Sequence, residues 1–369
     1  MRRYSMLDDS SLEYHNLLHE PEAECESESK SKSKIKYIPL GDTDIQISPL
    51  GIGTWSWGDR MIWGYGQSFT HEDIHRAFLY CVNQGITFFD TAETYGWGLA
   101  EKLLGHFIAQ SQVEVVVASK FLPSPWRLRK VSVLHALEKS LERLNGVPLT
   151  LYQFHKPYPP ISIETWMEAL VEATEFYNIP AIGIANCTLS QMEQAMDALA
   201  AQGHSLASIQ IEMSLLCHTP EIDDLLKTCH SKTITLFAYS PLGMGLLTGK
   251  YSPEHPPRNR FDLREKIALH ALSLAIPGYF AAKGCQFGSD EIRQIQPLVD
   301  LLVSIGQSHG GKTPAQVALN WVISQGAVPI VGVKNYHQAR DNSGAVGWTL
   351  TGEELTALHD MSARLDDLF

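Results

Sequence analysis

What the chain lacks narrows its function first. Its six cysteines, Cys25, Cys81, Cys187, Cys217, Cys229 and Cys285, are scattered through 369 residues with no C-x-x-C pair. That excludes a disulfide framework and a zinc knuckle, and it fits a reducing cytosol. No apolar run approaches the roughly 20 residues that span a bilayer. Cations are outnumbered, 29 Lys and Arg against 41 Asp and Glu, and the net charge of −12 argues against a surface for nucleic-acid phosphates. No G-x-G-x-x-G follows an apolar strand, which removes the open dinucleotide-binding sheet. Metal catalysis is not expected, and no metal ligand is assigned.

What remains is the composition of a globular protein, 44% apolar and 19% charged, long enough to bury a large core. Residues 1–34 stand apart. Arg2 and Arg3 precede an acidic stretch from Leu7 to Glu28 without the apolar segment of a secretory leader. From Glu22 to Lys34 the run is mostly Glu, Ser and Lys, with too few apolar groups to offset its ordering entropy. The expectation is a disordered tail over 1–34 and one domain over 35–369.

From Tyr37 onward, short apolar strands alternate with amphipathic helical stretches, the pattern of βα units around a parallel sheet. Eight strands are expected: Leu50–Thr54, Thr87–Asp90, Val113–Lys120, Leu149–His155, Ala181–Ala185, Ser208–Ile211, Thr235–Tyr239 and Val328–Val331. Several are continuous apolar runs, as strands buried on both faces should be. Helix starts are marked by Ser190 with Glu193, Thr313 with Gln316 and Thr351 with Glu354, each a hydroxyl N-cap with an acid or amide at N3. Pro220 and Pro314 fall at N1. Eight units over some three hundred residues favour a closed (β/α)₈ barrel. The long Gly- and Pro-rich stretch between Tyr239 and Ser289 is a lid candidate.

In such a barrel the working residues sit where strands end at the C-terminal face. Three adjacent strands finish on ionisable groups: Asp90, Lys120 and His155, with Tyr95 just beyond the first. Singly, each reads as a salt bridge or a satisfied core histidine; jointly that explanation weakens. A desolvated Lys120 needs an anion, and Asp90 supplies it. The ammonium near Tyr95 is expected to lower a phenol pKa that starts at about 10, making Tyr95 a general acid. His155 could then hydrogen-bond a carbonyl oxygen. Trp55, Trp63, Trp97, Trp126 and Tyr158 could build an aromatic substrate pocket or simply pack.

These segments, with Gly51 to Trp55, Phe89 to Gly96, Gly183 to Asn186, Tyr239 to Lys250 and Pro329 to Lys334, resemble the aldo-keto reductase family from about residue 37 to the end. The resemblance implies a (β/α)₈ (TIM) barrel that binds NADPH, reduces small aldehydes or ketones and uses Asp90, Tyr95, Lys120 and His155 as a catalytic tetrad. It places Gly53, Thr54 and Trp55 at the cofactor, Asn186 and Gln210 at the nicotinamide carboxamide, and Ser240, Pro241, Leu242 and Gly245 over the pyrophosphate. Gly332, Lys334, Gln338 and Asn342 fall at the adenosine phosphate and adenine. Lys334 would read the 2′-phosphate that distinguishes NADP from NAD. Two positions depart from the family: Ala185 stands where Ser is usual, and Met213 where a Tyr usually stacks on the nicotinamide. A thioether can still pack on a ring, so looser cofactor binding is expected there.

Two rivals follow from the same residues. Lys120 could form a Schiff base, as in barrel aldolases, although a protonated Lys paired with Asp90 is a poor nucleophile. The same family also contains regulatory subunits that keep the cofactor and act on protein partners; the complete tetrad favours catalysis.

Overall fold

All eight expected strand segments take part in a closed parallel barrel in a computed structural model that describes residues 35–157, 160–257 and 288–365. Around the barrel run β3 (Gly51–Gly53), β4 (Phe88–Asp90), β5 (Val116–Phe121), β6 (Leu151–Phe154), β7 (Ala181–Ala185), β8 (Ser208–Glu212), β9 (Thr235–Tyr239) and β10 (Val328–Gly332), and β10 closes on β3. Nearly every strand residue is buried, which explains the apolar runs. At Gly51 a Cβ would lie 2.6 Å from the side chains of both Ile330 and Phe88, so a larger residue there would force them to move.

Ten helices occur among the described residues: α1 (His71–Asn83), α2 (Leu99–Ser111), α3 (Val131–Leu144), α4 (Ile163–Tyr177), α5 (Leu189–Ala200), α6 (Pro220–Lys232), α7 (Ser289–Ser308), α8 (Pro314–Ser324), α9 (Tyr336–Ser343) and α10 (Gly352–Ala363). Thr313 and Thr351 close the expected capping boxes, and Pro220 and Pro314 open their helices. The start of α5 is a correction. Thr188 is the N-cap, bonded to the Gln191 N–H and bonded back by the Gln191 side chain, while Ser190 lies inside the first turn. Both spacings fit a capping box; the earlier one lengthens the helix by two residues, and each added residue contributes a hydrogen bond without new nucleation.

A short antiparallel hairpin, β1 (Ile38–Pro39) with β2 (Gln46–Ile47), was not expected, because two-residue strands show no alternation. Its Leu40 and Ile47 join Phe88, Leu151, Phe237 and Ile330 in a cluster inside the barrel. There Phe88 and Phe237 stack with centroids 4.6 Å apart and planes 3° from parallel. The tail reading of 1–34, Tyr158 and the 258–287 part of the lid candidate lie outside the described residues. Among the described residues no helix is long and apolar enough to cross a membrane.

Candidate active site

Strand alternation decides which side chains share the barrel interior. Asp90 pairs in register with Ala118, Lys120 with Gln153, and Ala185 with Gln210. The registers stagger Asp90 from Lys120 and Gln153 from Gln210 by two residues along the strands, and their side chains meet through hydrogen bonds. The Lys120 ammonium donates to Asp90 Oδ2 at 2.5 Å, to the Thr91 carbonyl at 2.9 Å and to the Tyr95 hydroxyl at 3.4 Å. Asp90 Oδ1 accepts from Gln210 Nε2 at 2.9 Å and from Gln153 Nε2 at 3.2 Å. The Tyr95 and His155 rings stand edge to face with centroids 6.1 Å apart. All four tetrad positions are brought together.

Tyr95 sits on a 3₁₀ turn, Tyr95–Gly98, whose Gly96 and Trp97 have φ of 53° and 57°. Gly96 is needed there: the left-handed backbone would put a Cβ 2.9 Å from the Trp57 carbonyl. Two carboxylates brace the site, Glu101 buried and Glu93 partly buried. Glu93 receives both guanidinium nitrogens of Arg127 and the Leu122 N–H, and Glu101 receives the Ser119 hydroxyl and Arg143. Sequence reading missed both pairs, as well as Gln153.

Electrostatics reverses one expectation. Burial and the nearby Asp90 carboxylate hold the Tyr95 phenol well above its ordinary pKa, outweighing the ammonium that was expected to lower it. Burial also lowers Lys120, opposed by Asp90. Burial, with help from Lys120, pushes His155 down to about 3, so the imidazole is neutral at physiological pH. Its buried Nδ1 has no partner among the described residues.

The positions assigned to a cofactor lie on or just after β7, β8, β9, β10 and β3, five successive neighbours in the barrel. Gly53 lies in register with Asp90 and Gly332. Thr54 spends its N–H and its hydroxyl on the Asp90 carbonyl, at 2.9 and 3.1 Å. Asn186, with φ of 55°, donates to the His155 carbonyl at 2.9 Å and accepts from the Tyr239 hydroxyl at 2.8 Å, a partner that sequence reading did not find. After β9, Ser240 has φ of 52°, Pro241 and Leu242 follow, and Gly243, Met244 and Gly245 are left-handed in succession. A Cβ on Gly245 would meet the Lys250 ammonium at 2.5 Å. At the turn into α9, the Lys334 N–H donates to Gln338 Oε1, the Lys334 ammonium lies over the Trp63 and Phe69 rings, and Asn342 is buried. Beside Gly332 a Cβ would meet nothing within 4 Å.

Met213, at the position where the family usually has a stacking Tyr, is buried in the core. The aromatic pocket is only partly assembled: Trp55 and Trp63 pack edge to face at 5.2 Å, whereas Trp97 and Trp126 stand 90% and 82% exposed. One spacing runs against the expectation of no metal. His71 to His75 spells H-E-x-x-H at the start of α1, with ring centroids 6.3 Å apart and His106 near them. Among the described residues, however, no group of three His, Cys, Asp or Glu side chains is placed to hold a metal ion.

Comparison with known proteins gives a consistent picture. The model of the aldo/keto reductase family matches residues 49–363. The chain is 36% identical over 323 residues to a chloroplastic pyridoxal reductase of Arabidopsis thaliana, covering 84% of this chain and 82% of that one. It is 29% identical over 329 residues to an aldo-keto reductase of Bacillus subtilis, covering 86% and 91%. Its fold is similar to a thermostable aldo-keto reductase crystallised with the inhibitor epalrestat, with TM-score 0.66, 25% identity and coverage of 89% and 100%. A glycerol dehydrogenase from Gluconobacter oxydans shares the fold at TM-score 0.71 and 23% identity, covering 91% and 96%.

Proposed function

The chain belongs to the aldo/keto reductase family, and from that premise we propose that it reduces small aldehydes and ketones to alcohols with NADPH, through Asp90, Tyr95, Lys120 and His155. The observation that carries this reading is the buried ammonium of Lys120, held by Asp90 and 3.4 Å from the Tyr95 hydroxyl. A phenol kept protonated beside a fixed cation is a proton donor whose conjugate base is stabilised as it forms.

The residues present fit the cofactor. The unpartnered Nδ1 of His155 marks polar capacity left at the mouth, and the left-handed run Gly243–Gly245 presents backbone where a side chain would collide. Asn186 and Gln210 would hold the carboxamide, Ser240 to Gly245 the pyrophosphate, and Lys334 with Gln338 and Asn342 the adenosine end. The nicotinamide supplies the hydride. Tyr95 gives its proton to the carbonyl oxygen as negative charge grows there, so the alkoxide does not collapse back. Neutral His155 donates a ring N–H to the same oxygen and orients it. Lys120 carries the compensating charge for the Tyr95 phenolate until solvent returns the proton.

Pyridoxal stands first among candidate substrates, because a relative at 36% identity is named for its reduction. A panel of pyridoxal, other aldehydes and ketones, followed by loss of NADPH absorbance with NADH in parallel, tests the reading. Turnover with NADPH preferred is expected, and Lys334→Ala should erode the preference by a charge-assisted contact of ~1.5–3 kcal/mol. Tight NADPH binding without turnover of any carbonyl would instead favour a regulatory subunit. Equal affinity for the two cofactors would remove the role given to Lys334.

A further inference from the structure

Asp90 is the hinge of the arrangement, since its two oxygens receive different donors. Oδ2 takes Lys120; Oδ1 takes Gln210 and Gln153. The Gln153 amide is oriented without ambiguity, because an ionised carboxylate only accepts and must face the NH₂ end. Gln153 is fully buried, and its carbonyl oxygen has no hydrogen-bond partner among the described residues. An apolar side chain of the same volume would avoid that cost, which is why a half-satisfied buried amide marks a use other than stability.

We infer that Gln153 is a positioning residue of the reaction: its amide fixes the rotation of the Asp90 carboxylate, and Asp90 in turn holds Lys120 on Tyr95. The inference rests on the tetrad reading above. Gln210 touches the same oxygen, but it also belongs to the proposed cofactor site, so an amide that leaves Asp90 for a bound nicotinamide would leave Gln153 as the constant donor. A Cβ on the neighbouring Gly183 would collide first with the Ser208 side chain and would also lie 3.0 Å from Gln153 Cγ.

The groups that face the Lys120 ammonium are Asp90 from β4, Tyr95 from the following turn, Glu101 from α2 and His155 after β6. Burial lowers the Lys120 pKa, and Asp90 opposes that shift without cancelling it. If Asp90 is free to turn away, Lys120 loses its proton at lower pH.

Gln153→Leu and Gln153→Met test this, two variants being used so that one poorly packed core does not decide the matter. Expected are a fall in kcat of about 10²-fold, NADPH Kd within a factor of about three, an alkaline limb of the kcat profile moved toward neutral pH, and Tm unchanged or higher. Unchanged kcat in both variants while the wild type turns over overturns the inference, and so does a loss of rate accompanied by a lower Tm and an unmoved limb. An inactive wild type instead defeats the proposed function. In that case the inference is still read from the Lys120 titration, followed by NMR of ¹³C-labelled lysine, which should move to lower pH in the variants; an unmoved titration overturns it.

Discussion

The phenol of Tyr95 lies 3.4 Å from an ammonium, yet its burial and the Asp90 carboxylate keep it protonated over a wide pH range. Desolvation acts on the whole charge of the phenolate, whereas Lys120 shares its own charge with Asp90 and the Thr91 carbonyl. In the proposed reaction the hydroxyl gives up its proton only to the far more basic oxygen of a forming alkoxide. Replacement by Phe keeps the ring and removes that proton, so carbonyl reduction should fall by ~10²–10⁴-fold with NADPH affinity nearly unchanged. Lys120→Met added to Tyr95→Phe should cost little more, because residues acting as one unit are strongly non-additive. Rates of the single and double variants at fixed pH, with NADPH binding measured separately, decide it. Near-normal turnover of a good substrate by Tyr95→Phe would make His155 the proton donor.

At the scale of one helix, α5 shows how two equivalent signals two residues apart are resolved. Thr188 and Ser190 each have a polar partner three residues on, and only Thr188 is used, in extended conformation with ψ of 167°. Thr188→Ala should therefore lower stability by ~0.5–2 kcal/mol. Ser190→Ala, within the first turn, should change it by no more than about 0.5 kcal/mol. Urea unfolding of both variants checks this, and equal losses would mean that the helix begins elsewhere. The strand ends carry a comparable lesson: β5 runs one residue past Lys120, and β6 stops one residue before His155. Lys120 and His155, two of the proposed catalytic positions, thus lie within one residue of a strand end.

For the molecule as a whole, the buried site has a consequence for acid stability. The unfolded chain binds a proton on His155 near its ordinary 6.5, and the folded chain only near 3. Stability from the neutral imidazole is present above about pH 6.5 and is lost as pH falls toward 3. His155→Asn, which has no titrating ring, should show a flatter decline in unfolding free energy over that window, measured by urea melts at several pH values. An identical decline in both proteins would mean that His155 titrates freely in the folded state. The cluster that holds the stacked Phe88 and Phe237 with the hairpin residues Leu40 and Ile47 is built of apolar groups, which do not titrate.

The sequence by itself determined the eight strands and the barrel class and singled out Asp90, Tyr95, Lys120 and His155 as candidates, because apolar runs, caps and polar strand ends are local patterns. It also carried the family. Other features came only from the tertiary structure. Gln153 and Gln210 lie 63 and 120 residues from Asp90 in sequence, and nothing local ties them to it. The sign of the Tyr95 shift depends on how much water the closed barrel removes, and the burial of Met213 follows from the packing around it. Thr54, assigned to the cofactor, spends its donors on the Asp90 carbonyl. Periodicity is written residue by residue, but desolvation and hydrogen-bond partnership are properties of the neighbours that folding brings together.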